Sequence, residues 1–181
     1  MENSIEAEVS IRPRIASDIL EAAAGLKEVH KSDGYPVEGV EHPTEWLTPS
    51  GLLGAWVAEA AGRVVGHVAL TEPTDEEAVA LWADLNGGDA GRIGVLARLF
   101  VLPEMRGRAI GERLTRTVQA YASSAGLRLV LDVMTKDSAA IQLYERLGWR
   151  RIGRIDHKFG NGRKVDALAY TYAESDTSSS V

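Results

Sequence analysis

The sequence predicts an α+β fold built on one mixed β-sheet, and three observations predict it. Residues 55–60 and 63–70 are apolar runs on either side of Ala61-Gly62, the pattern of a tight antiparallel hairpin. Residues 93–101 and 127–133 read as strands with an amphipathic helical segment between them, the arrangement of a crossover. Residues 149–155 and 165–172 are two more strand-like runs, with Asn161-Gly162 supplying a turn in their connection. Hairpins and crossovers on a single sheet define the mixed class.

The elements follow in order. Residues 8–12 alternate into a first short strand. A helix begins near Ser17 or Asp18, where Asp18 and Glu21 have the spacing of a capping box. Ile19, Ala23, Leu26 and His30 then recur at helical spacing. Ser32-Asp33-Gly34-Tyr35-Pro36 breaks that helix, a loop runs to Pro43, and residues 44–47 suit a short helix. After the hairpin the chain turns acidic, with room for a short helix over 75–85 and a turn at Asn86-Gly87-Gly88-Asp89. The helix over 109–124 carries Ile110, Leu114, Val118, Tyr121 and Ala125 as one apolar face. Gly126 suits its C-terminus. A further helix over 138–147 presents Ala140, Ile141, Tyr144 and Leu147, and Gly148 stops it. Residues 156–164 read as the loop between the last two strands. No internal repeat is present. One domain is expected over 8–173, between polar ends, 1–7 and 174–181, expected to be disordered.

Composition narrows the function. The chain has 181 residues, 45% of them apolar, enough for a core of ordinary size. A net charge of −6 argues against general affinity for nucleic acid. No apolar run is long enough to span a membrane, and the acidic N-terminus is not a secretory signal. A cytoplasmic protein is the simplest expectation. The absence of cysteine excludes disulfides, thiolate nucleophiles and Cys-ligated zinc. The four histidines, at 30, 42, 67 and 157, show no metal-binding spacing, so no metal is expected.

The stretch richest in chemistry is Leu99-Phe100-Val101-Leu102-Pro103-Glu104-Met105-Arg106-Gly107-Arg108-Ala109-Ile110-Gly111. A strand runs into a short basic loop and straight into a helix. Helix N-termini carry unpaired N–H groups and partial positive charge, so such a loop suits a phosphate or diphosphate. Arg106 and Arg108 add full charges. A Walker A loop is excluded because Glu112-Arg113, not Lys-Ser or Lys-Thr, follows Gly111. A dinucleotide fingerprint is excluded by the glycine spacing. A basic turn without a ligand is the bland alternative.

The segment 106–111 resembles the R/Q-x-x-G-x-G/A loop of the GNAT family, the Gcn5-related N-acetyltransferases, with Ala109 at the first glycine position. A second segment, residues 131–149, resembles that family's N-x-x-A-x-x-x-Y-x-x-x-G-F signature. Ala140, Tyr144 and Gly148 fall in register, Asp137 stands where asparagine is usual, and Trp149 where phenylalanine is usual. The resemblance extends over 8–173 in the order of strands and helices. It implies a single splayed sheet of about seven strands flanked by helices, and acetyl-CoA as acyl donor.

The resemblance also implies roles. The backbone of Leu99, Phe100 and Val101 would pair with the pantetheine arm and polarise the thioester. Arg106, Gly107, Arg108, Ala109, Ile110 and Gly111 would cradle the diphosphate, and Asp137 and Ala140 would line the cofactor arm. Tyr144 would be the general acid that protonates the leaving thiolate. On periodicity alone Tyr144 reads as a core tyrosine rather than a catalytic one, and the register of the motif reverses that preference; Asp137 is equally a helix N-cap.

The carboxylate that many members place before the loop is missing, since Ala97 and Arg98 stand there. His67, Glu72 and Asp33 are candidate bases, each with a structural alternative. The expected acceptor is a primary amine of a small molecule. Asp33, Tyr35, Glu38, Glu41, Glu45 and Trp46 would suit a cationic one, or form a solvated acidic loop. A protein amine, a longer acyl donor, a non-catalytic acyl-CoA-binding module and a homodimer stay open.

Overall fold

A computed structural model describes residues 8–88 and 91–174. The expectations for 1–7, for Asp89 and for the tail beyond Glu174 lie outside the described residues. Seven strands form one mixed sheet: β1 (Val9–Pro13), β2 (Leu52–Ala60), β3 (Arg63–Thr71), β4 (Ile93–Val101), β5 (Arg128–Met134), β6 (Arg150–Phe159) and β7 (Arg163–Tyr172). Their order is β1-β2-β3-β4-β5-β7-β6. The helices are α1 (Ile19–Asp33), α2 (Pro43–Leu47), α3 (Glu77–Leu85), α4 (Ile110–Ser124) and α5 (Ser138–Arg146).

The chain divides into two compact units. The first takes residues up to 69 together with 98–117, the second residues 70–97 together with 118 onward. In the first, β1 pairs antiparallel with β2, from Val9 opposite Ala60 to Pro13 opposite Trp56. Ala61 and Gly62 both take positive φ, 50° and 74°, which defines a type I′ turn between β2 and β3. The Leu102 N–H donates to Val65 O at 2.9 Å, tying the segment after β4 to β3. Leu26 of α1 and Leu114 of α4 are fully buried here, each contributing roughly 1.5–3 kcal/mol by leaving water. α4 lies close over the strands: a Cβ on Gly66 would meet Leu114 Cδ1 at 3.1 Å and Ile110 Cγ2 at 3.3 Å.

In the second unit, β5 pairs parallel with β4 and antiparallel with β7, and β7 pairs antiparallel with β6. The parallel ladder is short, running from Ile93–Arg128 to Val95–Val130. One face carries α3, whose Ala78, Val79 and Trp82 join Ile93, Val95, Val130 and Ala169 in a cluster. The other carries α5, where Tyr144 packs on Trp149 and Tyr170.

Several expectations shift. The predicted capping box is replaced: the Asp18 carboxylate accepts from the Ile15 N–H at 2.8 Å and from both Arg12 terminal nitrogens at 2.8 Å. Its side chain does not cap α1. On α4 the next buried apolar residue after Val118 is Ala122, while Tyr121 is exposed, because a strict four-residue step continues the apolar row. The expected loop 156–164 is strand up to Phe159 and from Arg163, so only a tight turn remains. β2 also begins earlier than expected, at Leu52.

Candidate active site

β4 carries an irregularity where the sequence shows only an apolar run. Arg98 has φ 56°, a left-handed conformation that costs a non-glycine residue about 1–2 kcal/mol. Its surroundings hold it. Arg98 O accepts from His67 Nδ1 at 2.9 Å, Arg98 Nε donates to Trp46 O at 2.6 Å, and its guanidinium lies 5.1 Å from the Trp46 ring centroid. Leu99 and Val101 are half-buried beyond this bend, and Phe100 is buried and stacked on His67.

His67 is a fixed structural imidazole. A carbonyl only accepts, so Nδ1 carries the proton donated to Arg98 O. Nε2 therefore accepts from Arg14 Nη1, 2.9 Å away, and that same guanidinium nitrogen donates to Leu47 O at 2.6 Å. Burial pushes the imidazole down to about 4, against the opposing effect of its bond to Arg98 O. With both nitrogens engaged inside the core, His67 is not placed to take a proton from a substrate.

After β4 a 3-10 turn over Pro103–Met105 leads to the basic loop. Arg106, Gly107, Arg108 and Ala109 are exposed, and α4 begins at Ile110. Gly107 has φ 76° and Ala109 φ 56°. Two left-handed residues within three positions turn the chain sharply into the helix, so that the first amides of α4 face outward with nothing helical to bond. Arg106 is fixed by Asp33 at the end of α1: Nη2 to Oδ2 is 2.7 Å and Nη1 to Oδ1 is 3.2 Å. Asp33, a candidate base in the sequence, is thus the partner of a loop arginine. Glu72 is exposed just past β3.

In the second unit, Tyr144 is buried on α5. Burial and the charges of Asp132 and Asp137 push its phenol above the ordinary range, so it stays protonated at neutral pH. That suits a proton donor. Asp137 occupies the N-cap position of α5, as expected, but its side chain makes no capping hydrogen bond. Ala140 is half-buried one turn into the helix. A pair missed by sequence reasoning reaches across β7: Asp132 Oδ2 of β5 lies 2.6 Å from His157 Nδ1 of β6. The one sequence signal for it was a carboxylate inside the apolar run 129–134. Among the described residues no group of His, Cys, Asp or Glu is placed to hold a metal, and no helix is long and apolar enough to cross a membrane.

A loop of this geometry after a bent strand, with a protonated tyrosine on a later helix, is matched at the level of the family. The acetyltransferase (GNAT) family model fits residues 20–149. The chain belongs to the GNAT family. Among its GNAT relatives, mycothiol acetyltransferase of Thermobispora bispora is 35% identical over 110 residues, 59% of this chain and 32% of the relative. N-acetyltransferase 8 of Mus musculus is 34% identical over 102 residues, 55% of this chain and 40% of the relative. The chain thus spans roughly a third to two fifths of these relatives' lengths. The fold is shared with Arabidopsis thaliana NAA60, solved in complex with acetyl-CoA, at a TM-score of 0.69 and 21% identity over 91% of this chain and 98% of that one. The GNAT match contains the loop, Asp137, Ala140 and Tyr144, while β6 and β7, with His157, lie beyond it.

Proposed function

We propose that the protein is an acetyl-CoA-dependent N-acetyltransferase whose domain spans residues 8–173 and which acts on a primary amine, a small-molecule amine first among the candidates. The observation that carries this reading is the GNAT match across residues 20–149, which includes both the basic loop and Tyr144. In this reading the amides of Gly107 to Gly111 and the charges of Arg106 and Arg108 hold the diphosphate. The backbone of Leu99, Phe100 and Val101 pairs with the pantetheine arm and polarises the thioester carbonyl. Asp137 and Ala140 line the arm, and the Tyr144 hydroxyl protonates the departing sulfur. The phenol is protonated at neutral pH, the form a donor needs, and the register of Tyr144 within the GNAT match rather than its acidity supports the role, since a raised pKa weakens a donor.

Calorimetric titration with acetyl-CoA, and with coenzyme A lacking its 3′-phosphate, tests the donor. Saturable one-to-one binding is expected; no binding at millimolar ligand overturns the assignment. Thiol release with a panel of small amines and a peptide with a free N-terminus then tests transfer. The chain contributes no thiol of its own to that assay, having no cysteine. Tyr144→Phe is expected to lower kcat by about 100-fold or more with little change in acetyl-CoA affinity. Binding without turnover on any amine would identify a non-catalytic acyl-CoA-binding module instead.

A further inference from the structure

Acetyl transfer as proposed above turns on how the backbone of Leu99, Phe100 and Val101 points, and a set of groups within the first unit fixes it. A left-handed residue inside a strand acts as a bulge: it breaks the regular ladder and re-aims the peptide groups that follow. Arg98, at φ 56°, is that residue in β4. A non-glycine residue keeps such a conformation only where its surroundings over-determine it.

Ties from β3 bracket the segment on both sides. Before it, His67 Nδ1 donates to Arg98 O at 2.9 Å. After it, the Leu102 N–H donates to Val65 O at 2.9 Å. Between them, the Phe100 ring stacks on the His67 imidazole, with centroids 5.4 Å apart and planes 19° from parallel.

His67 is itself held. Its Nε2 accepts from Arg14 Nη1 at 2.9 Å, and the same nitrogen of Arg14 donates to Leu47 O at 2.6 Å. Arg98 Nε in turn donates to Trp46 O, the carbonyl just before that of Leu47. The bonds therefore close a ring, from Leu47 O through Arg14, His67 and Arg98 to Trp46 O and back along the chain. His67 and Leu47 are fully buried. In a water-excluded network each bond orients the next, and a missing member leaves its neighbour unsatisfied. The ring needs a group that accepts from a guanidinium on one side and donates to a carbonyl on the other. A neutral imidazole protonated on Nδ1 is such a group, whereas the Nε2–H tautomer opposes both partners. Burial keeps the imidazole neutral at physiological pH. Its donor is aimed at the carbonyl of the bend in β4 and not at its own strand. The ring also passes through the end of α2, so the segment 34–47 that suits a cationic amine is tied to the same bend.

We propose that His67 is a positioning residue for acetyl transfer: it fixes the Arg98 carbonyl, and through it the direction of the Leu99, Phe100 and Val101 amides toward the thioester. This rests on the acetyl-transfer reading above. His67 touches neither donor nor acceptor and transfers no proton.

Two substitutions separate its bonds. In His67→Asn the amide nitrogen stands one bond from Cγ, as Nδ1 does, and still donates to Arg98 O. In His67→Gln the amide stands one bond further out, where it accepts from Arg14 and leaves Arg98 O without its donor. Both remove a ring from the core, so both should lower Tm, and a merely structural role would make activity follow Tm. The full chain is titrated with acetyl-CoA by calorimetry, and the infrared carbonyl band of bound acetyl-CoA, isotope-labelled at the acetyl carbonyl, is read by difference. The wild-type band is expected below that of free acetyl-CoA. His67→Asn should keep most of that shift and His67→Gln should lose most of it, with little change in acetyl-CoA affinity in either. With tyramine or a hexapeptide bearing a free N-terminal alanine, whichever the wild type acetylates faster, kcat should fall by about 10- to 100-fold in His67→Gln at unchanged KM for acetyl-CoA. His67→Asn should recover most of that loss. A wild-type band and kcat in His67→Gln overturn the proposal, as do equal losses in both variants in step with Tm. Imidazole nitrogen NMR of the wild type needs no variant to fold: the proton is expected on Nδ1, and a ring protonated on Nε2 overturns the assignment. A wild type that does not bind acetyl-CoA overturns the donor reading and this proposal with it. Binding without a band shift removes the role of β4 and of His67 while the donor reading stands. If the band shifts but neither probe is acetylated, the choice of acceptor falls and the band still decides on His67.

Discussion

Ala109 stands at φ 56° immediately before α4, where family members place glycine. Its methyl group adds bulk that glycine lacks. The larger effect is in the backbone, since a left-handed alanine is strained by about 1 kcal/mol relative to glycine. Ala109→Gly is therefore expected to raise stability in urea by up to about 1 kcal/mol, because the relief of strain is partly offset by the freer unfolded chain. Acetyl-CoA affinity should hold or tighten, and a destabilised variant would show that the alanine methyl makes a packing contribution larger than the strain. Other residues were less legible. Nothing in the run Leu96-Ala97-Arg98-Leu99 announces that Arg98 turns left-handed, because the bend is held by His67 and Trp46, which are distant in sequence. The tautomer of His67 likewise depends on Arg14, 53 positions away.

At the scale of elements, local pattern served well where one face of an element meets the core. The strand 93–101 and the helix after the basic loop stand nearly where periodicity put them. It served poorly at the last hairpin. Residues Asp156-His157-Lys158-Phe159 lack clean alternation, since β6 is an edge strand whose polar side chains reach solvent or pair locally, and so they read as loop. That misreading hid the pairing of His157 with Asp132. The first hairpin was legible because Ala61-Gly62 leaves room for only a two-residue turn. Its type I′ geometry favours asparagine at the first position, which tolerates positive φ better than alanine. Ala61→Asn should stabilise the fold by roughly 0.5–1 kcal/mol, read as a higher urea midpoint at unchanged m-value. A lower midpoint would mean that the turn is not type I′ in solution.

For the molecule as a whole, two buried groups, His67 and Asp18, act on acid stability in different pH ranges. The unfolded chain protonates His67 near 6.5, whereas the folded chain resists protonation down to about 4. Between these values the unfolded state binds more protons, so stability falls as pH falls from 6.5 to 4, by at most about 3 kcal/mol. Asp18 acts lower. Arg12 holds its carboxyl below the ordinary range, so the stability it contributes is present above the unfolded value and is lost as pH drops through the folded one. Urea unfolding from pH 8 to pH 3.5 should show both regimes. His67→Gln should flatten the first and leave the second. A slope unchanged in His67→Gln would assign the first regime to another group.

The pairing of Arg106 with Asp33 joins the basic loop to the last turn of α1. That end of a helix carries the negative pole of its dipole, where a carboxylate is unwelcome unless a cation answers it. The guanidinium is that cation. A diphosphate that draws Arg106 toward itself weakens the cation's hold on Asp33, and with it the tie between the loop and the last turn of α1. The occupancy of the loop would then be felt at the end of α1, directly before the acidic segment that begins at Gly34.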